Sequence, residues 1–134
     1  MRTRPTPQVG IVLVSHSSQL AEGVAELAGQ VSGGTVTIVA AGGTDDGELG
    51  TSAAKVEAAL ARAESGAGVL VLPDLGSAVL TVRALLAEQP DAAVTIADAP
   101  FVEGAVAATV AAAVGADLTA VAKAAEEARD ARKL

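Results

Sequence analysis

Four short apolar runs, Val9–Val14, Thr35–Ala40, Gly68–Leu72 and Ala93–Ala97, punctuate this chain, and each is followed by a stretch with helical periodicity: Gln19–Val31, Ser52–Ala63, Ala78–Glu88 and Val102–Val114. Strands of this length alternating with helices of about three turns leave little choice of architecture. The runs are almost continuously apolar rather than alternating, so both of their faces must be covered, and a parallel sheet between two helix layers meets that condition. Local signals mark the boundaries. Gly33-Gly34 ends the first helix, Thr51-Ser52 offers N-caps to the second, Ser65-Gly66 closes it, and Gln89-Pro90 stops the third. A last helix is predicted over Leu118–Leu134, where Lys123, Glu126, Glu127, Arg129, Asp130 and Arg132 read as a solvated face. The expected fold is therefore a three-layer α/β/α domain with a four-stranded parallel sheet plus a C-terminal helix. Right-handed crossovers winding outward from the first strand in both directions give the strand order 2-1-3-4.

A chain of 134 residues amounts to one domain. With 51% hydrophobic and 1% aromatic residues, its core must be built from Val, Leu, Ile and Ala, which favours close helix–sheet packing. Sixteen acidic against nine basic residues give a net charge of −7, which repels phosphate backbones and argues against nucleic-acid binding. The absence of cysteine excludes disulfides, thiolate metal sites and cysteine catalysis. Met1–Gln8 is basic and carries Pro5 and Pro7, but the apolar run after it is too short for a signal peptide; residues 1–8 are expected to be a flexible N-terminus and 9–134 the domain. Glu103 and Asp117 interrupt the Ala/Val-rich C-terminal third, so no membrane span is expected and the reading is of a cytoplasmic protein.

The only histidine, His16, lies in Val14-Ser15-His16-Ser17-Ser18, where the first strand gives way to the first helix. Sites in open α/β sheets form beyond the carboxyl ends of the strands, where the strand order reverses, and the order 2-1-3-4 brings the loops after strands 1, 2 and 3 together. The second of these loops is Ala41-Gly42-Gly43-Thr44-Asp45-Asp46-Gly47-Glu48-Leu49-Gly50-Thr51-Ser52 and the third is Pro73-Asp74-Leu75-Gly76-Ser77. Together they supply an imidazole, a carboxylate, hydroxyls and glycine-rich backbone, the set that reversible phosphoryl transfer through histidine requires. His16 is the candidate nucleophile. Asp74 is the candidate orienting group, fixing one tautomer and stabilising the cation formed on phosphorylation, as in the serine-protease triad. Gly43, Thr44, Ser17 and Ser77 are candidate donors to phosphate oxygens. Each has a plainer alternative: a capping or surface histidine, a simple turn for the Gly/Asp loop, and helix N-caps for Asp74 and Ser77. No metal ligand set is predicted, since Asp45-Asp46-Gly47-Glu48 lacks EF-hand spacing and there is no second histidine; no Gly-x-Gly-x-x-Gly or Walker lysine follows a strand.

Four blocks resemble one family: Gly10-Ile11-Val12-Leu13-Val14-Ser15-His16-Ser17, Ala41-Gly42-Gly43-Thr44-Asp45-Asp46-Gly47, Asp74-Leu75-Gly76-Ser77-Ala78 and Ala99-Pro100-Phe101-Val102-Glu103-Gly104-Ala105. They are similar to IIA-type domains of the mannose phosphotransferase family and, within it, to the DhaM-type branch that serves phosphoenolpyruvate-dependent dihydroxyacetone kinases. The resemblance runs from Val9 to about Ala122. It implies that His16 takes a phosphoryl group from phospho-HPr and passes it to ADP held with magnesium on the nucleotide-binding subunit of the kinase, the ATP so formed phosphorylating dihydroxyacetone on a third subunit. On this reading the chain binds no cofactor directly; magnesium and ADP/ATP belong to the partner. The family also implies a homodimer, for which the Ala-rich segment Val106–Val114 is a candidate interface or, equally, ordinary core. Some relatives carry fused HPr-like and enzyme I-like domains; here one domain is read, and the donor is expected to be a separate protein. Other readings that share His16 are a IIA domain feeding a mannose-type sugar permease, a small tetrapyrrole metal chelatase, and a regulatory module whose phosphorylation state is sensed by a transcription factor.

Overall fold

β1 (Gly10–Ser15) and β3 (Val69–Pro73) form the centre of a parallel sheet whose edges are β2 (Ile38–Gly42) and β4 (Val94–Ile96), in the order β2-β1-β3-β4. The computed structural model describes residues 6–134. Successive side chains of a strand point to opposite faces, so each apolar run feeds two cores at once. Val12, Val14, Val39, Ala41, Val69 and Val71 face α2 (Ala53–Ala63) and α3 (Gly76–Ala87). Ile11, Leu13, Leu70 and Leu72 face α1 (Ser18–Val31), α4 (Phe101–Ala113) and α5 (Leu118–Glu127). This division follows from handedness: the β1-to-β2 crossover runs one way across the sheet and the next two run the other way, so right-handed connections put α1 on the opposite face from α2 and α3. The helices meet the sheet largely through alanine, with Ala59, Ala63, Ala78, Ala105, Ala108, Ala112 and Ala125 all buried. The predicted three-layer fold, strand order and C-terminal helix are all present.

Several boundaries differ from the sequence reading. β2 starts at Ile38 instead of Thr35, because Gly33 and Gly34 carry the chain through a positive-φ turn and Val36 is consumed in packing before the ladder begins. α3 starts at Gly76, earlier than Ala78, which puts Ser77 inside its first turn. The final helix does not reach Leu134: α5 ends at Glu127, a single 3-10 turn follows at Ala128–Asp130, and 131–134 are irregular. Past Ala125 no residue has a core to enter. The basic side chains instead fold back over the start of α4, with Lys133 Nζ 2.9 Å from Glu103 Oε2 and Arg129 beside Asp98. Most of the expected flexible segment 1–8 lies outside the described residues; at its end, Gln8 donates to the Ala113 carbonyl at 3.3 Å and its own carbonyl accepts from the Ser65 hydroxyl at 3.0 Å. Among the described residues no helix is long and apolar enough to cross a membrane.

One close approach ties this frame to the loops above it. A Cβ on Gly42, at the end of β2, would lie 2.5 Å from the Ser17 carbonyl oxygen and 2.7 Å from Ser18 Cα, both backbone atoms at the start of α1. Gly42→Ala must therefore push β2 away from the α1 N-terminus, an overpacking strain of about 1–3 kcal/mol. Urea denaturation is expected to show a lower midpoint at unchanged m-value; an unchanged midpoint would contradict the assigned contact.

Candidate active site

β1 ends in a buried serine, Ser15, and the chain turns at His16 before Ser17 caps α1, its hydroxyl accepting from the Leu20 amide at 3.2 Å. The turn is stitched to both neighbouring loops. The Ser15 carbonyl accepts from the Gly43 amide at 3.1 Å, the His16 carbonyl accepts from the Gly50 amide at 2.9 Å, and the Asp74 amide donates to the Val14 carbonyl at 2.9 Å. The loops after β1, β2 and β3 thus converge on His16, as the strand order requires.

Asp74 organises the site. Its Oδ2 accepts from the Ser15 hydroxyl at 2.9 Å and the His16 amide at 3.0 Å; its Oδ1 accepts from the Leu75 amide at 2.7 Å and lies 3.0 Å from His16 Nδ1. An ionised carboxylate can only accept, so Nδ1 carries the proton and the lone pair is left on Nε2. Nε2 lies 2.5 Å from the Ser77 hydroxyl, which donates to it. The imidazole is 25% exposed and the Asp74 carboxylate 9%, so the pair is shielded from behind and open towards Nε2. The plainer reading of Asp74 and Ser77 as helix caps does not describe them. Leu75 occupies the cap position of α3 without a side-chain bond, Ser77 is within the helix, and three of the four Asp74 contacts go to Ser15 and His16.

Burial raises the Asp74 pKa, but the His16 amide, the His16 ring, the Ser15 hydroxyl and the nearby imidazole charge outweigh it and hold the carboxyl below its ordinary value. A depressed carboxyl contributes stability that is fully present above its unfolded pKa and is lost as pH falls through the folded one. The stability that the wild type holds over Asp74→Asn is therefore expected not to decrease anywhere above the ordinary aspartate range and to be lost only below it. Paired chemical denaturations across that range check it; a difference already fading between pH 5 and 7 would contradict the assigned shift.

The other predicted site residues are placed less simply. The amides of Gly43 and Thr44 are already used, by the Ser15 and Glu48 carbonyls, and the Thr44 hydroxyl accepts from the Glu48 amide at 3.1 Å. Gly43 takes a positive φ of 73° to start this turn. What remains available there is the hydroxyl proton of Thr44, and on the α1 side that of Ser17. The amides of Gly76 and Ser77, which open α3 and have no carbonyl within the helix to donate to, are further donors in the turn whose Ser77 hydroxyl reaches Nε2. Sequence reasoning gave Ser15 no role of its own; its signal is a hydroxyl closing an otherwise apolar, fully buried strand. Among the described residues no three His, Asp or Glu side chains converge as a metal-binding group.

The family model of EIIA-man, described as PTS system fructose IIA component, matches residues 10–122. The phosphoryl donor subunit DhaM of the PEP-dependent dihydroxyacetone kinase of Escherichia coli K12 is 46% identical over 119 residues, covering 84% of this chain and 25% of that protein. This chain thus spans only about a quarter of that relative's length. The phosphoryl donor subunit DhaM of PEP-dependent dihydroxyacetone kinase 2 from Listeria innocua is 41% identical over 105 residues, 76% of this chain and 84% of the relative. The phosphotransferase subunit DhaM of the PTS-dependent dihydroxyacetone kinase from Lactococcus lactis is 37% identical over 112 residues, 84% and 89% respectively. Among solved structures, the protein EF1359, described as of unknown function, superposes with a TM-score of 0.78 at 36% identity, over 90% of this chain and 94% of that one.

Proposed function

The chain belongs to the EIIA-man family of phosphotransfer-system IIA components, and from that premise we propose that His16 is a phosphocarrier whose Nε2 takes a phosphoryl group from phospho-HPr and gives it to ADP on the nucleotide-binding subunit of a dihydroxyacetone kinase. The observation that carries the reading is the fixed tautomer: Asp74 holds Nδ1 at 3.0 Å and leaves Nε2 open at the surface beside Ser77.

In the first transfer the P–N bond of the donor phosphohistidine breaks as the Nε2–P bond forms. The donor ring leaves as a neutral imidazole and the His16 ring, keeping its Nδ1 proton, becomes the cation that Asp74 stabilises, so no proton and no water enters the balance. The Ser77 hydroxyl must swing off Nε2 to admit phosphorus, and it is then placed to donate to an equatorial oxygen together with the α3 amides. In the second transfer the Nε2–P bond breaks and a terminal oxygen of ADP takes the phosphoryl group, the accompanying magnesium belonging to the partner subunit. Positioning and charge stabilisation are the whole of this protein's contribution.

Two features support the kinase as acceptor. Similar proteins are named as phosphoryl donor or phosphotransferase subunits of such kinases, and the Ala99–Ala105 block, one of the four that carry the resemblance to that branch, opens α4 directly beyond β4. The reading puts the protein in the cytoplasm and makes it a homodimer, the exposed valines Val102 and Val110 of α4 and Val114 just past its end being the candidate face. The test is reconstitution: with enzyme I, HPr, phosphoenolpyruvate and the two kinase subunits, dihydroxyacetone phosphate is expected only when this protein is added. Phosphoryl transfer to a permease IIB protein in place of the kinase would assign it to sugar uptake instead, and no acid-labile label on His16 at all would end the phosphocarrier reading.

A further inference from the structure

Ser15 is fully buried at the end of an otherwise apolar strand, a position where packing alone asks for an apolar side chain. A buried hydroxyl costs free energy unless its hydrogen-bonding capacity is used, and Ser15 spends both its lone pair and its proton on the site. Its Oγ accepts from the Ser17 amide at 3.0 Å and donates to Asp74 Oδ2 at 2.9 Å. Ser17 caps α1, so a chain of hydrogen bonds runs from the positive end of a helix, through one hydroxyl, to the carboxylate behind the imidazole.

Four donors meet Asp74. Two are the backbone amides of His16 and Leu75 and one is the imidazole itself, so the Ser15 hydroxyl is the one other side chain that sets how basic this carboxylate is. Burial raises the Asp74 pKa, and the Ser15 bond is among the contacts that outweigh it. Charged groups on the surrounding elements do not take this role. Arg83 and Asp98 line a cavity bordered by Asp74, Leu75 and β4; Asp45, Asp46 and Glu48 lie on the loop after β2; Lys55 holds the Gly42 carbonyl at 3.0 Å. Among the described residues none of them bonds to Asp74 or His16, and the one charge that shifts the Asp74 carboxyl is that of His16.

Resting on the phosphohistidine reading above, we propose that Ser15 is a positioning residue that sets the phosphoryl-transfer potential of His16: by drawing charge onto Oδ2 it weakens the hold of Oδ1 on the Nδ1 proton and keeps the phosphorylated ring ready to give its phosphoryl group away. A carrier in the middle of a relay depends on this balance. Each transfer breaks one bond to phosphorus as it makes another, and whatever stabilises the phosphorylated ring favours arrival at the expense of departure.

The test is Ser15→Ala, read in two states. In the unphosphorylated protein the Nδ1 proton resonance of the one histidine, followed by 15N-edited NMR, is expected to move downfield as Asp74 becomes the stronger acceptor. At equilibrium with phospho-HPr the ratio of label on His16 to label on HPr is expected to rise about 3- to 10-fold over wild type. Asp74→Asn, which removes the stabilising charge, is expected to shift that ratio the other way. Ser15→Cys, which keeps a weaker donor of similar size in place, is expected to move both readings in the same direction as Ser15→Ala but less far. A role in packing alone would lower the melting temperature and slow transfer in both directions together, so an unmoved ratio or an unmoved resonance in the folded variants would overturn the proposal. In a wild type that takes label on His16, that result removes the role of Ser15 alone. A wild type labelled by neither phospho-HPr nor phosphoramidate removes the phosphohistidine reading, and the transfer potential assigned to Ser15 with it.

Discussion

His16→Ala is expected to abolish acid-labile, alkali-stable labelling by phosphoenolpyruvate, enzyme I and HPr, and with it all dihydroxyacetone phosphorylation in the reconstituted system. The loss should be complete rather than partial because the chain has one imidazole and no cysteine or tyrosine to stand in for it. Serine hydroxyls lie close by, but Ser15 is buried against Asp74 and Ser77 is a weak nucleophile without an activating base once the ring is gone. The fold should survive. The His16 amide, the Ser15 hydroxyl and the Leu75 amide still satisfy Asp74, so the variant loses one partly exposed pair, on the order of 1–2 kcal/mol. Radiolabel incorporation with a parallel thermal melt separates the two effects. Stable label persisting in a folded variant would move the phosphoryl group to another residue.

The architecture was legible because its cause is local. Four apolar runs separated by helical periodicity admit few arrangements, and right-handed crossovers reduce them to the observed order. That order makes β1 and β3 neighbours, with Val14 opposite Pro73, so residues one or two positions beyond each strand must meet; the pairing of His16 with Asp74 follows from topology before any side chain is considered. Details that depend on the direction of one backbone group were not legible. Gly43 and Thr44 lie beside the site, yet the positive φ of Gly43 and the turn back to Glu48 spend their amides inside the loop. The early start of α3 matters in the opposite sense, since it turns Gly76 and Ser77 into donors at a helix N-terminus. The sequence pattern predicts a helix to Leu134, but α5 ends at Glu127, since charge alone does not extend a helix that has no further core to cover.

Asp74→Asn is expected to slow phosphorylation of His16 by about 10²–10⁴-fold, or roughly 3–5 kcal/mol in the barrier. The carboxylate accepts four hydrogen bonds, two on each oxygen, and each oxygen receives one from a backbone amide: His16 on Oδ2 and Leu75 on Oδ1. Asparagine has one accepting oxygen and one NH2 group, so either orientation sets N–H against N–H at one of those amides. If the NH2 group faces Nδ1, it accepts no proton and the ring must place its proton on Nε2, which removes the nucleophile's lone pair. If the oxygen faces Nδ1 the tautomer survives, but the negative charge that stabilised the phosphorylated ring is gone and the Ser15–His16 turn loses its anchor. Both outcomes slow transfer, and they differ in pH dependence: a tautomer shift lowers the rate at every pH where the ring is neutral, whereas loss of charge alone also makes the phosphorylated ring lose its Nδ1 proton at lower pH. Single-turnover quench-flow with phospho-HPr across pH 6–9 reads both. Rates equal to wild type across that range, in a variant whose unfolding midpoint confirms the native fold, would take Asp74 out of the mechanism and leave Nε2 to be oriented by Ser77 alone.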